Sequence, residues 1–288
     1  MSMDLLSHCG IAVLALAGLT SSALAQDVAL NQTSEQATFV SPYYFGPNAF
    51  PIPDILNKTS DKMTITLAGD YYWGKTNNTT DVLLKTHIPL WTERANLSLW
   101  WPVYEWYKTP HSKGGMSGDI YVSIDLQLLK ERAKMPSWTL RAALKTASGG
   151  GYDIQRYYDS AGYFFDSYVG KTFPFGQIKM QVCAGGGFLC WQTDNGRQND
   201  AIQYGLYLGL LYAGFNLSGT YSGYCGWQSN SKIYGHLVHD RPMSIKIKLS
   251  YALNQWELFA MAQHGLKDYP YTQLQIGVTY SLDFRSRW

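Results

Sequence analysis

From residue 62 onward, apolar and polar positions alternate with period two in one segment after another, the mark of a strand with two unlike faces. The clearest case is Met243–Leu253, where Met243, Ile245, Ile247, Leu249, Tyr251 and Leu253 interleave with Ser244, Lys246, Lys248 and Ser250. The last segment, 273–284, sets Leu274, Ile276, Val278, Tyr280, Leu282 and Phe284 against Gln273, Gln275, Gly277, Thr279, Ser281 and Asp283. Clean alternation also covers 63–73, 82–91, 95–107, 120–128, 138–146, 178–191, 202–212 and 215–227. Two further segments, 163–173 and 256–264, alternate less regularly, which brings the expectation to about twelve strands.

The connections carry independent information. Taken in order they are long (74–80), short (92–94), long (108–115), medium (130–135), long (147–161), short (174–176), long (192–200), short (213–214), long (228–242), short (254–255) and intermediate (265–270). A transmembrane barrel has short periplasmic turns and longer extracellular loops in alternation, whereas a soluble β-sandwich has no reason to alternate around its whole circuit. With this parity, aromatics gather at both ends of the strands, as interfacial girdles require. Tyr71, Tyr72, Trp73, Trp106, Tyr107, Tyr163, Trp191, Trp227 and Tyr271 fall at the outer ends. Trp91, Trp138, Phe173, Phe175, Tyr212, Phe215, Tyr251, Trp256 and Phe284 fall at the periplasmic ends. The pattern predicts an all-β protein, a closed antiparallel transmembrane β-barrel.

The tail is the most specific piece. Gln275-Ile276-Gly277-Val278-Thr279-Tyr280-Ser281-Leu282 places a polar residue and a Gly before alternating apolar residues, and Phe284 and Trp288 share the outward parity. Here the chain resembles bacterial outer-membrane β-barrel proteins, whose last strand ends in an aromatic. The resemblance implies an assembly signal formed by Gln275, Gly277, Tyr280, Leu282, Phe284 and Trp288, read by the barrel-assembly machinery. It also implies an outer-membrane location in contact with lipid and lipopolysaccharide. The departure is Arg285-Ser286-Arg287, which carries the strand into or past the headgroup region.

Composition narrows the rest. Only 15% of the 288 residues are charged and the net charge is +2, so binding to nucleic acid through a basic field is not expected. After residue 25 no apolar run approaches the roughly 20 residues of a spanning helix. Residues 10–25, ending Ala23-Leu24-Ala25, have the short apolar core and small-residue end of a secretory signal, with cleavage expected before Gln26. Residues 26–61 form a separate segment whose centre, 41–53, holds four prolines and four aromatics. Prolines exclude a central strand there, and the segment could enter the barrel as a plug or seal its periplasmic mouth. The organisation expected is thus 1–25 signal, 26–61 N-terminal segment and 62–288 barrel. The exported chain keeps Cys183, Cys190 and Cys225, so at most one pair can form, with Cys190–Cys225 preferred, beside the alternative of three free thiols. No metal-ligand spacing of the CxxC or HExxH kind is present, and neither metal nor cofactor is expected.

If the apolar parity faces lipid, the other parity lists the lumen. The candidates are Asp70, Lys85, Asp119, Asp125, Arg141, Lys145, Lys179, Lys246, Lys248 and Glu257, with Arg94, Asp166 and Asp283 at the same parity. Trp100, Tyr104, Tyr121 and Tyr207 add aromatic surface. Two interpretations stand open. The acids and bases pair across a filled interior, because buried charges need partners, or they line a path for a small polar solute. Lys246 and Lys248, two cations one repeat apart, favour the path. A narrow channel or porin-like transporter is therefore expected first, a closed barrel acting through its extracellular loops second, and a lipid-modifying enzyme third. The chain lacks the His-x-Ser-Asn-Gly run of lipid-cleaving barrels. His264 is the histidine nearest an outward position at the outer rim, His111 and His236-x-x-His239-Asp240 lie in loops, and no catalytic residue is assigned.

Overall fold

The structure, a computed structural model, describes residues 46–56, 58–74, 77–90, 94–110, 112–150, 161–193, 197–226 and 241–282. The signal at 1–25, most of the 26–61 segment before Gly46, and Trp91, His111, Trp227, His236, His239, Asp283, Phe284 and Trp288 lie outside the described residues.

Among the described residues thirteen strands follow one another: β1 Met63–Gly74, β2 Asn78–Pro89, β3 Ala95–Lys108, β4 Lys113–Met116, β5 Tyr121–Leu129, β6 Ser137–Lys145 and β7 Gly162–Phe175. They continue with β8 Ile178–Thr193, β9 Arg197–Tyr212, β10 Phe215–Gly226, β11 Met243–Leu253, β12 Trp256–Lys267 and β13 Tyr271–Leu282. Each pairs antiparallel with its neighbour, and β1 closes on β13 from Met63↔Leu282 to Gly74↔Tyr271. The result is a closed twelve-stranded barrel, with β4 as an extra short strand folded back on the outer end of β3. Closure leaves no wall strand with an unpaired edge, the condition hydrocarbon imposes.

Tight turns form the periplasmic end. At Ala213-Gly214 both residues have positive φ, 47° and 86°, the twist a two-residue hairpin turn needs. At the outer end β2 already begins at Asn78, and β8 and β9 run to Thr193 and from Arg197. These strand ends (Asn78-Thr79-Thr80-Asp81 and Arg197-Gln198-Asn199-Asp200) are polar on both faces and show no alternation. The backbone ladder nevertheless continues through them, so two of the connections expected to be long are shorter than the alternation implied.

One register shift changes which side chains face inward. Val82 pairs with Tyr104 and Leu83 with Pro102, so β3 carries an extra residue at Val103. Below it Asn96, Ser98 and Pro102 are buried; above it Glu105 and Tyr107 are buried while Tyr104 and Trp106 stand exposed. Tyr104 therefore belongs to the outer surface and not to the lumen, a correction that a strict period-two count could not supply. Its ring packs edge-on against Trp106 at 4.7 Å in the outer aromatic girdle. The periplasmic girdle includes Phe215–Tyr251 and Trp256–Tyr280, each pair 4.5 Å apart.

The preferred Cys190–Cys225 disulfide is also corrected. Cys183, Cys190 and Cys225 are free. Cys190 pairs with Asp200 and Cys225 with Ile202, so β9 stands between them. Two strand spacings amount to roughly 9–10 Å, beyond the reach of a disulfide.

The polarity of the barrel is inverted relative to a water-soluble protein. Leu67, Phe165, Leu206, Ile247, Leu258 and Ile276 are exposed, Ile276 by 74%, while Asp70, Asp125, Lys145 and Gln203 are buried. An apolar belt of this extent belongs in lipid. Replacing Leu206 or Ile247 by Arg is expected to destabilise the folded barrel by about 2–4 kcal/mol if its site lies near the bilayer midplane. Urea unfolding in lipid vesicles measures the loss. An unchanged midpoint would contradict the lipid-facing assignment of that parity.

Candidate functional site

Several charges on the inward face are paired within the wall. Arg141 on β6 sits directly opposite Asp125 on β5, and its Nε donates to Asp125 Oδ1 at 2.7 Å. Ser98 donates to Asp125 Oδ2 at 2.7 Å and Ser123 to Oδ1 at 3.1 Å. At the outer rim Lys145 is paired with Asp119, which also accepts from the Gly149 amide at 2.7 Å. Burial raises the Asp119 carboxyl above the ordinary range, and the Lys145 ammonium pulls it back. Lys248 lies 3.0 Å from Glu257 and 4.3 Å above the Phe259 ring. Gln273 and Gln275 donate to Asp70 at 2.5 and 2.8 Å. Such pairing is what buried charges require.

Residues 46–56 and 58–60 lie inside the barrel and bind its inner wall along its height. Towards the outer end, three acids face one another across adjacent strands: Asp70 opposite Asp81, and Asp81 opposite Glu105. The Asn48 amide donates to Asp81 at 2.5 Å and to Glu105 at 3.2 Å, while its carbonyl accepts from the Tyr72 hydroxyl at 3.2 Å. Phe50 packs on Tyr269 and Tyr271, with ring centroids 5.3 and 6.3 Å away. At mid-height Asp54 accepts from Lys85 Nζ at 2.8 Å and lies 3.5 Å from Lys246 Nζ. Arg141 Nη1 donates to the Asp54 carbonyl at 2.7 Å.

Below that, Ile55 fits over Gly205, where a Cβ would overlap its side chain. The Leu56 carbonyl accepts from Thr139 at 2.9 Å. Near the periplasmic end Thr59 donates to Gln127 at 3.0 Å, and the Ser60 amide to Asn96 at 3.0 Å. Pro47, Pro51 and Pro53 explain why this stretch threads the lumen without joining the sheet: each lacks the N–H a ladder needs.

Beside the segment a cavity of about 450 Å³ remains. Its charged lining consists of Lys85, Arg141, Lys246 and Lys248 against Asp54, Asp166 and Glu257, with Trp100, Tyr121 and Phe259 as aromatic surface.

Of the residues singled out from sequence, Lys85, Arg141, Lys246, Lys248 and Glu257 come together around this cavity. Asp70 and Asp125 lie buried in the wall, Asp119 and Lys145 form the rim pair, and Lys179 sits exposed at the periplasmic end of β8. Sequence reasoning missed Asp54, Asn48, Asp81 and Glu105. The first two lie outside any strand, Asp81 in a strand end without alternation, and Glu105 beyond the bulge. His87, Ser98 and Asp125 do meet, but in an order unsuited to nucleophilic catalysis. Ser98 stands between the other two, 2.6 Å from His87 Nδ1, and its hydroxyl proton goes to the carboxylate. His264 Nδ1 lies 2.7 Å from Thr272 Oγ1.

Replacing Arg141 by Leu leaves Asp125 buried without its cation and is expected to cost about 3–5 kcal/mol. The shift in urea midpoint of the refolded protein checks this, and a loss below about 1 kcal/mol would show the pair is replaceable by its serine donors.

No family model matches the chain, and no curated protein sequence matches it. Solved structures do. An outer membrane channel from Pseudomonas putida F1 is similar with a TM-score of 0.55 and 9% identity, over 87% of this chain and 100% of that one. The NanC porin is similar with a TM-score of 0.50 and 13% identity, over 76% of this chain and 100% of that one. With its apolar belt, closed antiparallel sheet and polar interior, the chain has the fold of the bacterial outer-membrane β-barrel proteins, and the bacterial outer membrane is its location.

Proposed function

We propose that the protein is a narrow channel for small polar solutes, with the luminal segment, residues 46–56 and 58–60, as a constriction inside the barrel. The observation that carries this reading is the cavity of about 450 Å³ left between the segment and the wall, lined by charges of both signs. A barrel filled for stability alone would close such a space, since an unfilled interior forfeits packing, whereas a polar space of this size holds water. Two proteins of similar fold are named an outer membrane channel and a porin, which supports the same choice. Residues 1–25 serve as the export signal in this reading. β13, through Gln275, Gly277, Tyr280 and Leu282 and on to Phe284 and Trp288, serves as the assembly signal.

The segment is held by polar contacts and a close fit, so a single wall substitution can dislodge it. Gly205→Leu places a side chain where Ile55 sits. In planar lipid bilayers the full chain is expected to give small, stable conductance steps. Gly205→Leu, and a chain lacking residues 46–60, are expected to give larger steps. Silent membranes from all three proteins, each folded by heat-modifiable migration, would instead mean a filled lumen and favour the closed, loop-acting barrel.

A further inference from the structure

Lys85 stands on β2 and Lys246 on β11, with β1, β13 and β12 between them in the wall. They can share a partner only across the lumen, and that partner is Asp54: Oδ2 is 2.8 Å from Lys85 Nζ and Oδ1 is 3.5 Å from Lys246 Nζ. The Arg141 guanidinium approaches from a third side, donating to the Asp54 backbone carbonyl at 2.7 Å. The neighbouring cations have acids of the wall itself, Arg141 with Asp125 and Lys248 with Glu257. Among the described residues, the ion pairs of Lys85 and Lys246 both run to the segment.

The carboxylate that joins them is half exposed to the cavity, as is about a quarter of each lysine side chain. Wall strands thus present two ammonium groups converging on one carboxylate, and the carboxylate belongs to a segment outside the sheet ladder. Two oxygens of one acid held by cations from two separate stretches of the wall is the geometry by which a free carboxylate would also be held. Of the charged groups around the cavity, four are bases and three are acids, Asp54 among the latter. Without Asp54 the balance becomes four against two, and a confined space of that sign concentrates small anions.

We propose that Lys85 and Lys246, backed by Arg141, form a binding station for the carboxylate of a small solute, and that Asp54 occupies it as a tethered competitor. This deepens the channel reading and rests on it for its physiological meaning. A group held on a short tether competes at an effective concentration of the order of millimolar. Asp54 therefore sets a threshold that a solute carboxylate must exceed before the station opens to it.

The test uses the full chain, refolded in detergent, with lactate as probe and lactamide as its uncharged counterpart. Binding is followed by broadening of the probe's carbon-13 resonances. Asp54→Asn is expected to bind lactate at least about tenfold more tightly than the unaltered chain, with lactamide unaffected. Adding Lys85→Gln and Lys246→Gln to Asp54→Asn is expected to abolish the gain, heat-modifiable migration confirming that each variant is folded. In bilayers under a KCl gradient, Asp54→Asn is expected to move the reversal potential toward that of chloride. Unchanged lactate binding in folded Asp54→Asn, or a gain that survives loss of both lysines, would overturn the station even if conductance is normal. The expected order of binding together with silent membranes would uphold the station and overturn the channel.

Discussion

Everything in this molecule depends on the absence of hydrogen-bonding partners in hydrocarbon. A strand that crosses a bilayer must give every amide and carbonyl to a neighbour, and the only sheet that does so has no edge. The β1–β13 ladder is where that condition is met, joining the first and last strands through twelve residue pairs. Strand order, hairpin connections and the outward apolar face follow from it. So does the inverted polarity, because the apolar faces are already committed to lipid and the interior receives what remains.

That interior presents a problem of its own. Charges taken out of bulk water need partners, and the wall supplies many of them locally, between adjacent strands and at hydrogen-bonding distance. Arg141 with Asp125 and Lys248 with Glu257 are of this kind. Two acids at the outer end, Asp81 and Glu105, and the two lysines on β2 and β11 also have partners on the luminal segment. Asn48 reaches the acids and Asp54 reaches the lysines. The luminal segment thus adds partners for charges on several wall strands, at the outer end through Asn48 and at mid-height through Asp54. The segment is also packed through Ala49, Phe50, Ile52 and Ile55, but at Asn48 and Asp54 it is bound by amide contacts and ion pairs, which water or a competing solute can replace one at a time.

The bulge at Val103 shows how a local irregularity reaches the site. One extra residue on β3 turns Glu105 and Tyr107 inward and sends Tyr104 and Trp106 to the lipid side. The same residue therefore completes the outer aromatic girdle and places the carboxylate that Asn48 contacts. Pro102 beside it lacks the amide that a regular ladder would use, which suits it to a break in register.

The sequence by itself determined the barrel, the strand count and the identity of most wall charges, because each strand separates lipid from lumen and writes that separation as period-two alternation. Lys85, Arg141, Lys246, Lys248 and Glu257 were legible for that reason alone. Tyr104 and Glu105 were not, since alternation counts positions and a bulge shifts the count. The separation of Cys190 from Cys225 was hidden too, since it depends on which strand lies between them. Only the tertiary structure decided where residues 46–56 and 58–60 lie and that Asp54 joins two lysines from strands well separated around the wall. A segment without regular backbone has no period to read, and its partners are chosen by distances across a closed lumen, which exist only once the last strand has met the first.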